Sequence, residues 1–149
     1  MSAALQSGPH GGAAEILALT LWGEAADRPV RAIEALAALV MNRARRAAES
    51  GGPAHWGSGV AGVCRAPFQF PCWNRNHPRH TALREVTPGD AALAICRRIA
   101  ARALTGALPD PTGGATHVHD ATVLPGWALG RPAAAEIGGF CFYRAEDLA

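Results

Sequence analysis

The stretch from Leu17 to Pro29, LALTLWGEAADRP, carries one carboxylate, Glu24, at the end of an otherwise apolar segment, just before a boundary marked by Pro29. Leu17, Leu21 and Glu24 are spaced by four and then three residues, so on a helix they share one face. A chain with this segment has to build a core around the leucines and carry a carboxyl to the edge of that core. Partial desolvation favours a protonated carboxyl, the form a general acid needs near neutrality. Gly23 costs about 1 kcal/mol relative to alanine inside a helix, so it needs a reason, such as the close approach of a substrate. The competing reading makes Glu24 a solvated residue in a fraying last turn.

A chain of 149 residues suffices for one compact domain with a real core and no covalent staples. A net charge of +2 is too small to argue for nucleic acid. All basic residues are Arg and Ala is abundant, a pattern of GC-rich codons, so the arginine count alone says little about anions. No apolar run reaches the length of a membrane span, the best candidate being broken by Glu24 and Asp27. Residues 1–12 are rich in Gly, Ser, Pro and His and read as a flexible tail without a standard secretory signal. Residues 13–149 read as a single domain. The cysteines at 64, 72, 96 and 141 form no CxxC pair, which argues against a zinc ribbon or a thioredoxin-like site. Cys64 and Cys72 are close enough to bridge a short loop outside a reducing compartment, and Cys96 reads as a small core residue.

The spacing predicts a first helix over 13–25 and a second beginning at Pro29, with Ile33, Leu36, Ala37, Val40, Met41 and Ala44 on one apolar face. Asp27 reads as a cap for that second helix, and Arg43, Arg45 and Arg46 complement its C-terminal dipole. From His55 to Pro88 the chain reads as a long loop, dense in aromatics and amides: Trp56, Phe68, Gln69, Phe70, Trp73, Asn74 and Asn76. Such chemistry suits sugar rings, which offer apolar C–H faces and hydroxyl edges; equally, the rings can cover the core while the amides cap turns. Thr87 is the expected N-cap of a helix that runs through Ile95 and Ile99 and ends at Gly106. Thr116–His119 and Gly139–Tyr143 alternate and predict a small antiparallel sheet.

The landmarks fall in one order: Trp22-Gly23-Glu24-Ala25, Ala38-Leu39-Val40-Met41-Asn42-Arg43, Gln69-Phe70-Pro71-Cys72-Trp73, Thr116-His117-Val118-His119, Pro125-Gly126-Trp127-Ala128, and Ile137-Gly138-Gly139-Phe140-Cys141-Phe142-Tyr143. Together they resemble the SleB-type cell wall hydrolase family, which includes spore-cortex-lytic enzymes, over about Glu15 to Tyr143. The resemblance implies an α+β, mainly helical, lysozyme-like or lytic-transglycosylase-like domain with a small antiparallel element near the C-terminus. It implies peptidoglycan cleavage at the bacterial cell wall, with Glu24 as the catalytic acid. Gln69, Phe70, Trp73, Thr116, His117, His119 and Tyr143 are the implied substrate-binding residues. Trp22 replaces the usual tyrosine, Val118 stands where a tyrosine often sits, and Phe140 replaces a histidine. Any family role of those polar groups is therefore missing here.

Hydrolysing lysozymes usually use two carboxylates, and the candidates for a second are Asp27, Asp110 and Asp120. If none faces Glu24, one residue must be acid and then base while the C6 hydroxyl attacks C1. That is the lytic transglycosylase route, cutting between N-acetylmuramic acid and N-acetylglucosamine. The expectation is a monomer acting on glycan strands, without a cofactor, metal, nucleic acid or membrane span. One alternative is a metal-dependent amidase or peptidase using the His117/His119 pair, with His77 or His80 as a third ligand. Others are a glycan-binding module without catalysis, its Trp-rich loop as platform, or a structural domain with no ligand.

Overall fold

The computed structural model describes residues 12–67 and 69–149. Among the described residues five helices, α1 Ala13–Ala25, α2 Val30–Ala48, α3 Gly59–Arg65, α4 Pro78–Glu85 and α5 Ala91–Leu104, precede a sheet of β1 His117–Asp120, β2 Ala135–Ile137 and β3 Phe140–Tyr143. This is the mainly helical α+β architecture the sequence implied. The tail assigned to residues 1–12 lies, apart from Gly12, outside the described residues.

Helix α1 is the hub. Leu17, Ala18, Leu19, Leu21 and Ala25 are all buried, with Thr20 among them. Each fully buried leucine contributes roughly 1.5–3 kcal/mol of transfer free energy. The helix packs most extensively on α5 and also touches α2, α3 and α4, which explains why it needs no polar face. Helix α2 is amphipathic instead, burying Ile33, Leu36, Leu39 and Val40.

Three expectations about helix boundaries change. Asp27 does not cap α2: Pro29 holds the cap position with no side-chain bond, and Asp27 is exposed in the preceding turn. At α5 the cap is Asp90 rather than Thr87, its Oδ1 accepting the Leu93 N–H at 2.9 Å. That same oxygen accepts the Trp22 indole N–H at 3.0 Å, so a single carboxylate ties α1 to the start of α5. Trp22 is thereby committed to helix packing. The long loop over 55–88 is broken by α3, α4 and single 3₁₀ turns at Ala54–Trp56 and Pro71–Trp73. These pieces are too short and too rich in glycine and proline to show a helical period in the sequence.

The two alternating segments do pair antiparallel, His117 opposite Tyr143 and His119 opposite Cys141. A third strand, β2, joins the far side of β3 to give the order β1-β3-β2. With three residues, Ala-Glu-Ile, it is too short to alternate legibly. Gly138 and Gly139 form the two-residue turn between β2 and β3, both at positive φ (55° and 85°), as such a hairpin requires. A Cβ on Gly138 would lie 2.5 Å from Ala32 Cβ, so this turn sits directly on α2. The register puts Phe140, Phe142, Val118, Ala135 and Ile137 towards the core, and His117, His119 and Tyr143 on the opposite face.

Removing the shared cap should cost more than an ordinary cap does. Asp90→Ala strips both Leu93 N–H and the Trp22 indole of their acceptor, and is expected to lower stability by about 1–2 kcal/mol in urea denaturation. The Trp22 contribution to fluorescence should shift with it; an unchanged midpoint would contradict this account of the α1–α5 junction.

Candidate active site

Thr20 and Glu24 stand four residues apart on one face of α1, with Gly23 beside them. The 3₁₀ turn Pro71–Trp73 docks on that face through both of them. The Trp73 indole donates to Thr20 Oγ1 at 2.9 Å, and the Cys72 backbone N–H donates to Glu24 Oε2 at 3.0 Å. Between them, a Cβ on Gly23 would lie 2.5 Å from Cys72 Cβ. The close approach at Gly23 is therefore made by Cys72 of the protein itself, where the sequence suggested a substrate. His80 Nδ1 donates to the Cys72 carbonyl at 2.9 Å and clamps the turn from its other side.

Glu24 does not point into bulk solvent; its side chain is 9% exposed. Oε2 is held by Cys72, while Oε1 accepts from Arg79 Nη1 at 2.8 Å. Arg79 belongs to the first turn of α4 and its own side chain is 43% exposed. One carboxylate oxygen is thus fixed by backbone and the other is covered by a long, solvated side chain.

A second cluster surrounds Arg43, which is buried near the C-terminus of α2. Its Nε donates to the Thr116 carbonyl at 2.5 Å and its Nη1 to Gln69 Oε1 at 2.6 Å. The guanidinium lies 5.4 Å from the Trp56 ring centre and 5.8 Å from that of Phe70. Burial lowers the Arg43 pKa to about 10, which leaves it cationic at neutral pH. Beyond Thr116 a chain of rings continues: His117 lies 5.7 Å from Trp56 and 5.6 Å from Trp127, and Trp127 lies 5.6 Å from His119 and 5.3 Å from Tyr143. Since a carbonyl only accepts, His119 Nδ1 carries the proton it gives to Asp120 O at 2.7 Å, and Nε2 shares a hydrogen bond of 2.9 Å with Tyr143 OH.

A sequence model of the family described as Cell Wall Hydrolase matches residues 27–143, most of the chain. The chain belongs to the cell wall hydrolase family. Membership places it among enzymes that degrade the peptidoglycan of the cell wall. Two solved structures share the fold of this cell wall hydrolase. One is the catalytic domain of the Bacillus cereus SleB protein: 22% identity, TM-score 0.65, 95% of this chain and 97% of that one covered. The other is the catalytic domain of the germination-specific lytic transglycosylase SleB from Bacillus anthracis: 23% identity, TM-score 0.66, coverage 94% and 100%. No curated protein sequence matches the chain. The matched family stretch begins three residues after Glu24, so the case for Glu24 rests on its own short motif and on its geometry.

The residues singled out in the sequence of this hydrolase fall into two groups. Gln69, Thr116 and His117 gather around Arg43, and His119 and Tyr143 around Trp127. Phe70 and Trp73 belong to the segment between Gln69 and the Glu24 clamp, Phe70 buried and Trp73 half-buried. Thr116 is buried with its hydroxyl at 2.9 Å from His117 Nδ1, so it orients that ring. Phe140 supplies a face for the Arg28 guanidinium, 3.9 Å above its centre, in place of any polar role. Two members escape the sequence reading. The arginine cluster at the end of α2 makes Arg43 look like a dipole partner, although Leu36, Val40 and Arg43 repeat the four-three stripe that points to Glu24. Trp127 stands in a motif that carries no local sign of a site residue.

The metal alternative does not assemble. His77 Nδ1 accepts the Arg79 N–H as the cap of α4, His80 holds Cys72, and no group of three His, Cys, Asp or Glu able to hold a metal occurs among the described residues. Cys64 and Cys72 are free, buried thiols. Burial raises the Cys64 thiol to about 11, with a Thr20 hydrogen bond opposing, and burial with Glu24 nearby pushes Cys72 higher still.

Arg43→Lys keeps a charge but loses the planar fork that reaches Thr116 and Gln69 together. It is expected to cost about 1–3 kcal/mol in chemical denaturation and to depress peptidoglycan degradation. His117 makes a second test. Burial, then the Arg43 charge and His55, lower its pKa to about 4. The unfolded chain binds that proton near 6.5, so it is favoured as pH falls from about 6.5 towards 4, and native stability declines over that window. An imidazole titration by NMR should place His117 near 4, and His117→Asn should flatten the decline; a midpoint near 6.5 would contradict this.

Proposed function

We propose that this hydrolase cuts the glycan strand between N-acetylmuramic acid and N-acetylglucosamine as a lytic transglycosylase, with Glu24 as lone acid and base. The observation that carries the reading is the asymmetric hold on Glu24. Oε2 is fixed by the Cys72 N–H, which orients the carboxyl, while Oε1 is covered only by the exposed Arg79 side chain. A substrate that displaces Arg79 meets a carboxyl already aimed.

Of the other candidate carboxylates, Asp110 and Asp120 have structural work, and Asp27 is exposed in the turn between α1 and α2. Asp120 pairs with Arg28 and accepts from Thr122, whose hydroxyl first and then Arg28 hold its carboxyl well below the usual range. Asp110 is pushed up by burial, yet bonds from Thr112, Asn42 and Gly114 hold it low overall. A carboxylate held in this way by structural partners is a poor nucleophile for a sugar C1. The Bacillus anthracis relative is itself described as a lytic transglycosylase, which supports the same reading.

In the proposed reaction protonated Glu24 gives its proton to the glycosidic oxygen as the bond from C1 to that oxygen breaks. The C6 hydroxyl then attacks C1 and its proton passes to Glu24, restoring the acid. The products are a 1,6-anhydro-muramoyl end and a free 4-hydroxyl, and no water is consumed. Gln69, fixed through Oε1, keeps its amide N–H groups for an N-acetyl carbonyl, and the exposed ring of Trp127, backed by buried Tyr143, offers the sugar an aromatic wall. Action at the cell wall follows from this substrate, and no helix among the described residues is long and apolar enough to cross a membrane.

Mass spectrometry of digested peptidoglycan decides the matter. Wild type should yield anhydro-muramoyl ends. Glu24→Gln should fold normally and lose about 10²–10⁴-fold in rate. Reducing ends would replace this route by hydrolysis, and released stem peptides would sink glycan cleavage altogether.

A further inference from the structure

A cavity of about 530 Å³ opens beside the turn that holds Glu24, lined by Phe70 and Trp73 and by the polar groups Arg65, Asn74, Arg75 and His77. Its location is informative. Pro71 and Trp73, which line it, flank Cys72, the residue whose N–H fixes Glu24. Its charge is informative too. No acidic residue lines it, and Arg75 has no carboxylate partner among the described residues. Arg65 lies over the Trp73 ring at 5.4 Å, which keeps its guanidinium at the cavity wall without neutralising it. The nearest carboxylate bonded to this region, Glu24, is already engaged by Arg79. Two uncompensated guanidinium groups above an aromatic and proline-rich wall suit a ligand with both carboxylates and short apolar side chains.

We infer that this cavity receives the stem peptide of the muramic acid whose bond is cut, with Arg65 and Arg75 binding its carboxylates. The inference rests on the glycan-cleavage reading and extends it to the substrate's peptide. The chemistry of the glycan supports the placement, because the stem hangs from the lactyl group at C3 of the same sugar that presents C1 to the acid. A pocket lined by the two residues that flank the acid's anchor lies within reach of such a substituent. Beyond the first alanine, the γ-linked glutamate carries a free α-carboxylate, and the peptide end carries another. The alanine methyl groups match Phe70 and Trp73. A bare phosphate would use the guanidinium groups and leave that wall unused.

The test is a calorimetric titration of the intact protein with N-acetylglucosaminyl-N-acetylmuramoyl-tripeptide and with the same disaccharide lacking peptide. Neither contains the bond to be cut, so binding is read apart from cleavage. The peptide-bearing ligand should bind about tenfold more tightly, and the advantage should shrink as salt rises. Arg65→Ala/Arg75→Ala should abolish the advantage and leave affinity for the bare disaccharide unchanged, while Arg84→Ala, an exposed arginine of α4 that does not line the cavity, should behave as wild type. Equal affinities in the wild type, or an advantage that survives the double substitution, would overturn the assignment. So would displacement of the tripeptide ligand by inorganic phosphate at comparable concentration, which would mark a phosphate site. Failure of glycan cleavage itself would appear only in the product analysis, so the two readings fall separately.

Discussion

The site depends on how one 3₁₀ turn is seated on one helix. Thr20 and Glu24, four residues apart on α1, take the Trp73 indole N–H and the Cys72 backbone N–H, and Gly23 leaves the gap that Cys72 fills. Each bond alone contributes about 1 kcal/mol net, since folding only exchanges it for bonds to water. Geometry gives the pair its weight. A buried hydroxyl, a missing Cβ and a carboxylate at fixed helical spacing admit one register of the turn. Glu24 is both a wall of that socket and the group proposed as the acid, so the same contact that seats the turn aims the carboxyl.

Arg43 does the equivalent on the other side of the Gln69–Trp73 segment. Burying a guanidinium is costly, and the lowered pKa records that cost. It is offset by two short charge-assisted bonds, to a backbone carbonyl of the segment entering β1 and to the Gln69 amide, and by the faces of Trp56 and Phe70. The result couples helix α2, the amide of Gln69 and the start of the sheet through one side chain. The segment 69–73 is therefore held at both ends by α1 and α2, elements that belong to the rigid core.

What the sequence made legible follows from how local the cause was. Helix α1 and the pairing of β1 with β3 come from periodicity within a few residues, and both appear where the pattern put them. The caps did not, because Asp90 was selected by a partner 68 residues away, Trp22, as much as by its own helix. Helices α3 and α4 carry Gly59, Gly62 and Pro78, which blur any period, and their place is fixed by packing on α1 and α2. Glu24 was legible as a charge on an apolar stripe. The identical pattern around Arg43 was overshadowed by the neighbouring arginines, which made it look like one of a solvated group. Trp127 had no local signal beyond its motif, since only the fold brings it over β1.

The allocation of charge across the molecule sharpens what remains for chemistry. Arg28 with Asp120, Arg97 with Glu15, and Arg102 with Glu34 join elements distant in sequence, and Asp90 and Asp110 serve caps and turns. Exposed pairs of this kind add little stability individually, but they fix which carboxylates are committed. Glu24 differs in having a nearly buried side chain whose only ion-pair partner among the described residues is a half-exposed arginine, Arg79. A purely structural ion pair gains nothing from leaving one partner so exposed. An acid that must meet a substrate does, because the covering cation can swing away while the backbone N–H of Cys72 keeps the carboxyl in place. The asymmetry between Oε1 and Oε2 is what separates Glu24 from the structural carboxylates around it, and it is the ground on which the acid role is proposed.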